Sequence, residues 1–276
     1  MSETANKQKS DREAELKVNA AVNRKYFLIS CLSLGIFLIL WQCAVDFRWL
    51  TTIFIESPLS VLQQLIEKTY SRRVDGGVLH EHILNSLSVV LSGFFLAVII
   101  GVPLGLTMGW YRLFERFIRI IFEIIRPIPT IAWIPIVVLF LGIGLQAKAL
   151  IIFFSAFIAI VINSYTGIRL TNPVFINVAK TCGAPGWRIF LRVGVPAAMP
   201  MVFAGMRIAI GTSWGAVVAA EMLAAGKGLG YMISLGRTYM EVGLIMGGII
   251  VIGVMGFIFT AIFDWVESKV LKWRPR

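Results

Sequence analysis

The sequence predicts an all-α, polytopic membrane protein with six transmembrane helices, on three observations. Hydrophobic residue types make up 58 % of the 276 residues and charged types 15 %, with a mean hydropathy of +0.82. Soluble domains carry about 45–50 % apolar and about 25 % charged residues. The apolar residues gather in runs of the length a bilayer demands, about 20 residues of helix. The charged residues gather in short segments between those runs. The same figures exclude a disordered chain, a disulfide scaffold and a repeat array.

The spans follow in order. A tail, residues 1–25, precedes the first at about 26–45; its length and the lack of a small-residue cleavage site mark a retained anchor, not a signal peptide. The others are expected at about 83–109, 117–141, 150–168, 197–220 and 242–263, with a C-terminal tail at 266–276. Six spans put both termini on one side, and the basic residues identify it. With the amino terminus inside, 19 Lys and Arg lie inside and seven outside, while the acids divide eight and seven. The net charge of +11 is thereby absorbed by the positive-inside bias. No basic stripe is left for nucleic acid. Cys31, Cys43 and Cys182 form no CxxC pair and no metal-ligand spacing. They read as small packing residues, with no disulfide and no metal.

Helices in lipid associate through close backbone approach and interhelical hydrogen bonds. Span two carries Gly101, Gly105 and Gly109 on one face, and span six carries Gly243, Gly247, Gly248, Gly253 and Gly256. Both read as tight packing faces. Span three is interrupted by Pro127, Pro129 and Pro135. Each removes a backbone donor and clashes with the preceding turn, so either a kink or a broken helix beside a pathway is expected. Glu123 and Arg126, three apart, share a helical face and are expected to pair.

Between spans one and two, Ser57-Pro58 reads as N-cap and first helical residue. Leu59, Leu62, Leu65, Ile66 and Tyr70 then recur at helical spacing, with Gln63, Gln64, Glu67 and Lys68 on the other face. An amphipathic helix is expected there, ended by Gly76-Gly77, on the outer membrane surface or against the bundle. His80 and His82 flank Glu81 but share no helical face, and read as a solvated loop.

The segment 171–196 is the most informative. Asn172-Pro173 opens a helix and Gly183 closes it. Val174, Phe175, Val178, Ala179 and Cys182 lie between at three-to-four spacing. Pro185 starts a second helix with Trp187, Ile189, Phe190 and Val193, ending at Pro196. Two short apolar-faced helices in water leave two readings open: a partner site, or packing back on the helix ends. At membrane depth, polar residues default to pathway hypotheses. Asn163, Ser155, Thr212, Ser213, Trp214 and Glu221 are the candidates, with Pro127 and Pro129 at the break. Glu221, near the outer end, reads also as a contact to a partner or to headgroups. Arg207 reads as lying near the cytoplasmic surface or, less simply, in the pathway.

The pattern Asn177-Val-Ala-(three)-Gly183-(nine)-Val193-Gly-Val195-Pro196 resembles the loop signature of bacterial ABC importer permeases, Glu-Ala-Ala-(three)-Gly-(nine)-Ile-x-Leu-Pro. Asn177 departs from the acid of that signature. His82-Ile-Leu-Asn-Ser86-Leu, Gly101-Val-Pro-Leu-Gly-Leu-Thr-Met-Gly109, Arg126-Pro-Ile-Pro-Thr-Ile-Ala-Trp-Ile-Pro135 and Trp214-Gly-Ala-Val-Val-Ala-Ala-Glu221 with Gly228-Leu-Gly230 resemble the nitrate/sulfonate/taurine/bicarbonate branch. Val89 stands where relatives often carry a basic residue. The resemblance covers roughly residues 55–265.

It implies the type I importer permease fold and a multi-pass subunit of the bacterial inner membrane, with both termini cytoplasmic. It implies two copies forming the pathway for a small anion or organic acid, and an extracytoplasmic solute-binding protein. Two ATPase subunits would carry ATP and Mg and would grip Asn177, Val178, Ala179, Lys180, Gly183, Trp187 and Pro196. This chain has no GxxxxGK[ST] loop and no HExxH or GxSxG motif. It is expected to be no enzyme, with no catalytic residue and no cofactor of its own. A secondary transporter or channel without an ATPase is the alternative; it would not need the paired helices in water.

Overall fold

The computed structural model describes residues 26, 28–47, 55–224 and 226–271. The tail 1–25 and the basic residues Lys272, Arg274 and Arg276 lie outside the described residues, as does Arg48. The chain divides into two units, residues 1–63 and 64–276, taken separately below.

The first unit contains α1 (Leu28–Asp46), where Gln42 donates to the Asp46 carboxylate at 3.1 Å. Its apolar side chains, Leu32, Phe37 and Ile39 among them, are exposed, as suits a helix whose surroundings are lipid. Cys31 is exposed too, so it is not the packing residue expected. Helix α2 (Pro58–Lys68) opens as expected, the Ser60 N–H donating to Ser57 Oγ at 3.2 Å.

Two expectations for α2 are corrected. The helix stops at Lys68, well before Gly76-Gly77. Leu59, Leu62 and Ile66 are exposed while Lys68 is 1 % exposed, so the charged end is the buried one. The reason lies in the turn that follows, where Asp75 supplies a buried counter-charge to Lys68.

The second unit is a helical bundle. It comprises α3 (Leu79–Trp110), α4 (Arg112–Ile125), a short 3₁₀ turn (Thr130–Trp133), α5 (Ile134–Leu141) and α6 (Leu145–Arg169). There follow α7 (Pro173–Thr181), α8 (Gly186–Ile189), α9 (Val195–Ala224), α10 (Leu229–Thr238) and α11 (Val242–Val270). Helix α6 packs between α3 and α9, and α10 joins α9 to α11. Among the described residues of the two units together, α1 included, five helices are long and apolar enough to cross a membrane, or six if the bent pair α4–α5 counts as one span.

The glycine stripe of α3 explains its contact with α6. A Cβ on Gly105 would stand 2.6 Å from the Val161 carbonyl, and one on Gly109 would overlap Ile168. Gly93 extends the stripe, against the Ala149 carbonyl. Backbone contact of this kind replaces the hydrophobic driving force that lipid removes. On α11 the expectation holds in part. Gly243, Gly247 and Gly248 lie against Gln64, Leu65 and Ile233, whereas Gly253 meets nothing within 4 Å.

The proline segment is broken. Helix α4 and the 3₁₀–α5 stretch meet at 87°, with Pro127 and Pro129 exposed at the corner. Glu123 pairs with Arg119 at 2.8 Å rather than with Arg126, because a four-residue step aligns the guanidinium along the helix.

Candidate functional site

Three regions hold the residues singled out in the sequence: the 171–196 loop, the middle of α6 and α9, and the end of the bundle remote from that loop.

In the loop, the Val174 N–H donates to Asn172 Oδ1 at 2.9 Å, which caps α7. Gly183 ends it at φ +75°, a left-handed conformation that costs any side chain about 1–2 kcal/mol. Val174, Phe175 and Val178 are each about three-fifths exposed, and Asn177, Lys180, Cys182 and Trp187 are exposed beside them. Ala179 is half-buried. The apolar face of α7 therefore stays open, and Cys182 is not a packing residue.

The second half of the loop behaves differently. Ile189 is buried, and the Phe190 ring lies 5.4 Å from Trp110 and 5.8 Å from Tyr111. The expectation that the second helix ends at Pro196 is corrected: residues 186–223 run as one helix. The accommodation is a π turn, Phe190–Gly194, in which the Val195 N–H donates to the Phe190 carbonyl. Widening the turn there makes room for a proline that has no N–H to give.

The candidate pathway residues of α6 and α9 are held largely within the bundle of this one chain. Asn163 donates to the Ala159 carbonyl of its own helix at 2.8 Å and packs on Gly205. Ser155 donates to the Thr212 carbonyl at 3.2 Å, a cross-link between α6 and α9. Ser213 is buried and bonds to the Ala209 carbonyl. Trp214 is buried against Phe259. Only Thr212, with Pro127 and Pro129, is exposed among these candidates. Arg207 bridges α9 to α11, 2.6 Å from Asp264 and also bonded to Glu267.

At the remote end the structure corrects two readings. His82 is fully buried rather than solvated: its Nδ1 accepts from the Gly228 N–H at 3.1 Å, and its Nε2 lies 3.0 Å from Asp75. Asp75 in turn holds Lys68, which also donates to the Gly77 carbonyl at 2.6 Å. Burial pushes the Asp75 carboxyl up, but hydrogen bonds from His82 and Lys68 outweigh it and hold the group below its ordinary 3.8. Glu221 is fully buried and unavailable to headgroups or a partner. Its carboxylate accepts from Ser86 at 2.8 Å and from the Gly230 N–H at 2.9 Å, and Ser86 accepts from the Leu229 N–H. Gly228, at φ +131°, leaves no room for a Cβ, which would meet the Glu221 carboxylate at 2.3 Å. The Gly228-Leu-Gly230 turn is thus pinned onto α3 by His82 and Ser86 and onto α9 by Glu221. His82 and Ser86 sit four apart on α3; that spacing was the one local signal for the turn, since Gly228 and Glu221 lie 146 and 135 residues from them.

Sequence reasoning also passed over Glu115, which accepts from the Tyr165 hydroxyl at 2.6 Å and pairs with Arg169. Among the described residues no group of three His, Cys, Asp or Glu side chains is arranged to hold a metal.

Comparison with known proteins places this geometry. Residues 97–272 match the family described as binding-protein-dependent transport system inner membrane component. A probable ABC transporter permease of Brucella abortus is 33 % identical over 224 residues, 81 % of this chain and 88 % of the relative. The taurine transport system permease TauC of Escherichia coli is 27 % identical over 241 residues, 87 % and 88 % of the two chains. The nitrate import permease NrtB of Synechocystis is 30 % identical over 243 residues, 87 % of each. In fold, the chain resembles a subunit of the MetNI methionine ABC transporter in an inward-facing conformation, at TM-score 0.61 and 21 % identity over 70 % of this chain and 95 % of that one. A bundle of long apolar helices, a broken span and a loop helix left open thus find their place together: the chain belongs to the family of inner membrane components of binding-protein-dependent transport systems, the permease subunits of ABC importers.

Proposed function

We propose that this chain conducts a small anion or organic acid, of the nitrate, sulfonate, taurine or bicarbonate type, inward across the bacterial cytoplasmic membrane. Two copies form the pathway and an extracytoplasmic solute-binding protein delivers the solute. Two separate ATPase subunits, holding ATP and Mg, grip the 171–196 loop on the cytoplasmic side, where both termini also lie. The observation that carries the reading is α7: a capped helix whose Val174, Phe175 and Val178 stay exposed while the arm that follows is buried at Ile189. An apolar helix face of that size in water calls for a groove in a partner. Lys180, Arg188 and Arg192 around it suit an acidic rim. The substrate class rests on the relatives TauC and NrtB, whose names specify taurine and nitrate.

The test is reconstitution. Permease, its ATPase and binding protein in proteoliposomes are expected to take up labelled taurine, nitrate or a related anion only with ATP inside the cytoplasmic compartment. Uptake without ATP, by a chain that never co-purifies with an ATPase, would establish the secondary-transporter alternative instead.

A further inference from the structure

Both arms of the 171–196 loop are fastened to one place, the corner where α3 turns into α4. On the incoming arm, Glu115 of α4 accepts from the Tyr165 hydroxyl at 2.6 Å and pairs with Arg169, the last residue of α6. Only Leu170 and Thr171 separate that residue from the Asn172 cap of α7. On the outgoing arm, Phe190 packs on Trp110 and Tyr111 at ring distances of 5.4 and 5.8 Å. Gly194 is bare so that the Trp110 ring can approach; a Cβ there would stand 2.8 Å from it. Glu115 is 8 % exposed, so this clamp is not a loose surface pair. A charge-assisted carboxylate that also accepts a phenolic hydroxyl is among the stronger links a protein makes. Helix α4, in turn, is the first arm of the span broken at Pro127 and Pro129.

We infer that Glu115 is the positioning residue that transmits displacement of α7 to the broken span, through its bonds to Tyr165 and Arg169. The inference rests on the proposed docking of α7 into an ATPase. Without the clamp, movement of α7 would be absorbed in the hinge at residues 170–172. With it, α4 and the loop move as one piece, and the 87° corner is where that movement enters the span.

The experiment uses the assembled complex in proteoliposomes and reads two rates, ATP hydrolysis and solute uptake. Glu115→Gln is expected to co-purify with the ATPase and to hydrolyse ATP, while solute moved per ATP falls roughly tenfold, the scale of one lost coupling interaction. Tyr165→Phe, which removes one hydroxyl only, is expected to lower the ratio in the same direction and serves if Glu115→Gln does not insert. Glu115→Asp, which keeps the carboxylate, is expected to hold the ratio above that of Glu115→Gln. A wild-type ratio in both Glu115→Gln and Tyr165→Phe overturns the inference, and so does a Glu115→Asp ratio no higher than that of Glu115→Gln. A wild-type chain that never associates with an ATPase defeats the docking itself and is distinguished by that control.

Discussion

Glu221 and Asp75 are acids that take on physical meaning only once the chain is folded. Each looks exposed or peripheral along the sequence, and each is buried against partners that cannot be left alone. Removing the Glu221 carboxylate strands the Ser86 hydroxyl and the Gly230 N–H. Glu221→Ala is therefore expected to lower stability by about 1–3 kcal/mol per stranded group, read as a lower melting temperature of the purified protein. Asp75 adds a pH signature. Its carboxyl is held below 3.8, so its stabilising contribution is complete above that value and is lost as pH falls through the lower folded value. The difference in melting temperature between wild type and Asp75→Asn is expected not to narrow between neutrality and about pH 4. Below that pH it should narrow. A difference that already narrows near pH 6 would contradict this assignment. These roles were illegible in the sequence because nearness along the chain does not decide pairing: Asp75 lies only seven residues from Lys68, yet the turn between them and a glycine 146 residues beyond His82 settle which groups meet. Lys68 was misassigned for the same reason, its polar type having been taken as a sign of exposure.

At the scale of elements, apolar runs, proline breaks and glycine stripes were legible because each acts through its own neighbours. Asn172, Pro173 and Gly183 delimit α7 by capping, ring geometry and a left-handed φ. Gly105 lies against backbone of α6, which cannot yield, so Gly105→Leu is expected to separate α3 from α6 and cost about 1–3 kcal/mol or more as overpacking. Gly215 meets nothing within 4 Å in this chain, and Gly215→Ala is expected to melt within a degree or two of wild type. Gly183→Val should act mainly on coupling: the spans insert, stability falls by no more than the about 1–2 kcal/mol of a left-handed side chain, and ATP-dependent uptake is lost because α7 can no longer end where it does. What sequence period missed was the π turn at Phe190–Gly194. Pro196 reads as a stop only under α-helical hydrogen bonding, and one wider turn removes the conflict.

At the scale of the whole molecule, the proposed function turns on one arrangement: α7 is held open by its own fold and is gripped by a separate ATPase. The buried arm at Ile189 and Phe190 and the exposed face at Val174, Phe175 and Val178 are the two halves of that arrangement. Fold class and family were legible because composition, span pattern and the loop spacing each constrain them independently. The pathway was not, since Ser213 and Trp214 differ from their exposed neighbour Thr212 only in which side of α9 they occupy. The most direct measurement is thiol cross-linking from Val178→Cys, with Cys182 and the other native cysteines changed to serine, in the assembled transporter. Adducts with the ATPase subunit are expected to form at full yield in the resting complex and to change with nucleotide. Adducts confined to this same polypeptide, in a complex shown to contain the ATPase, would contradict that arrangement.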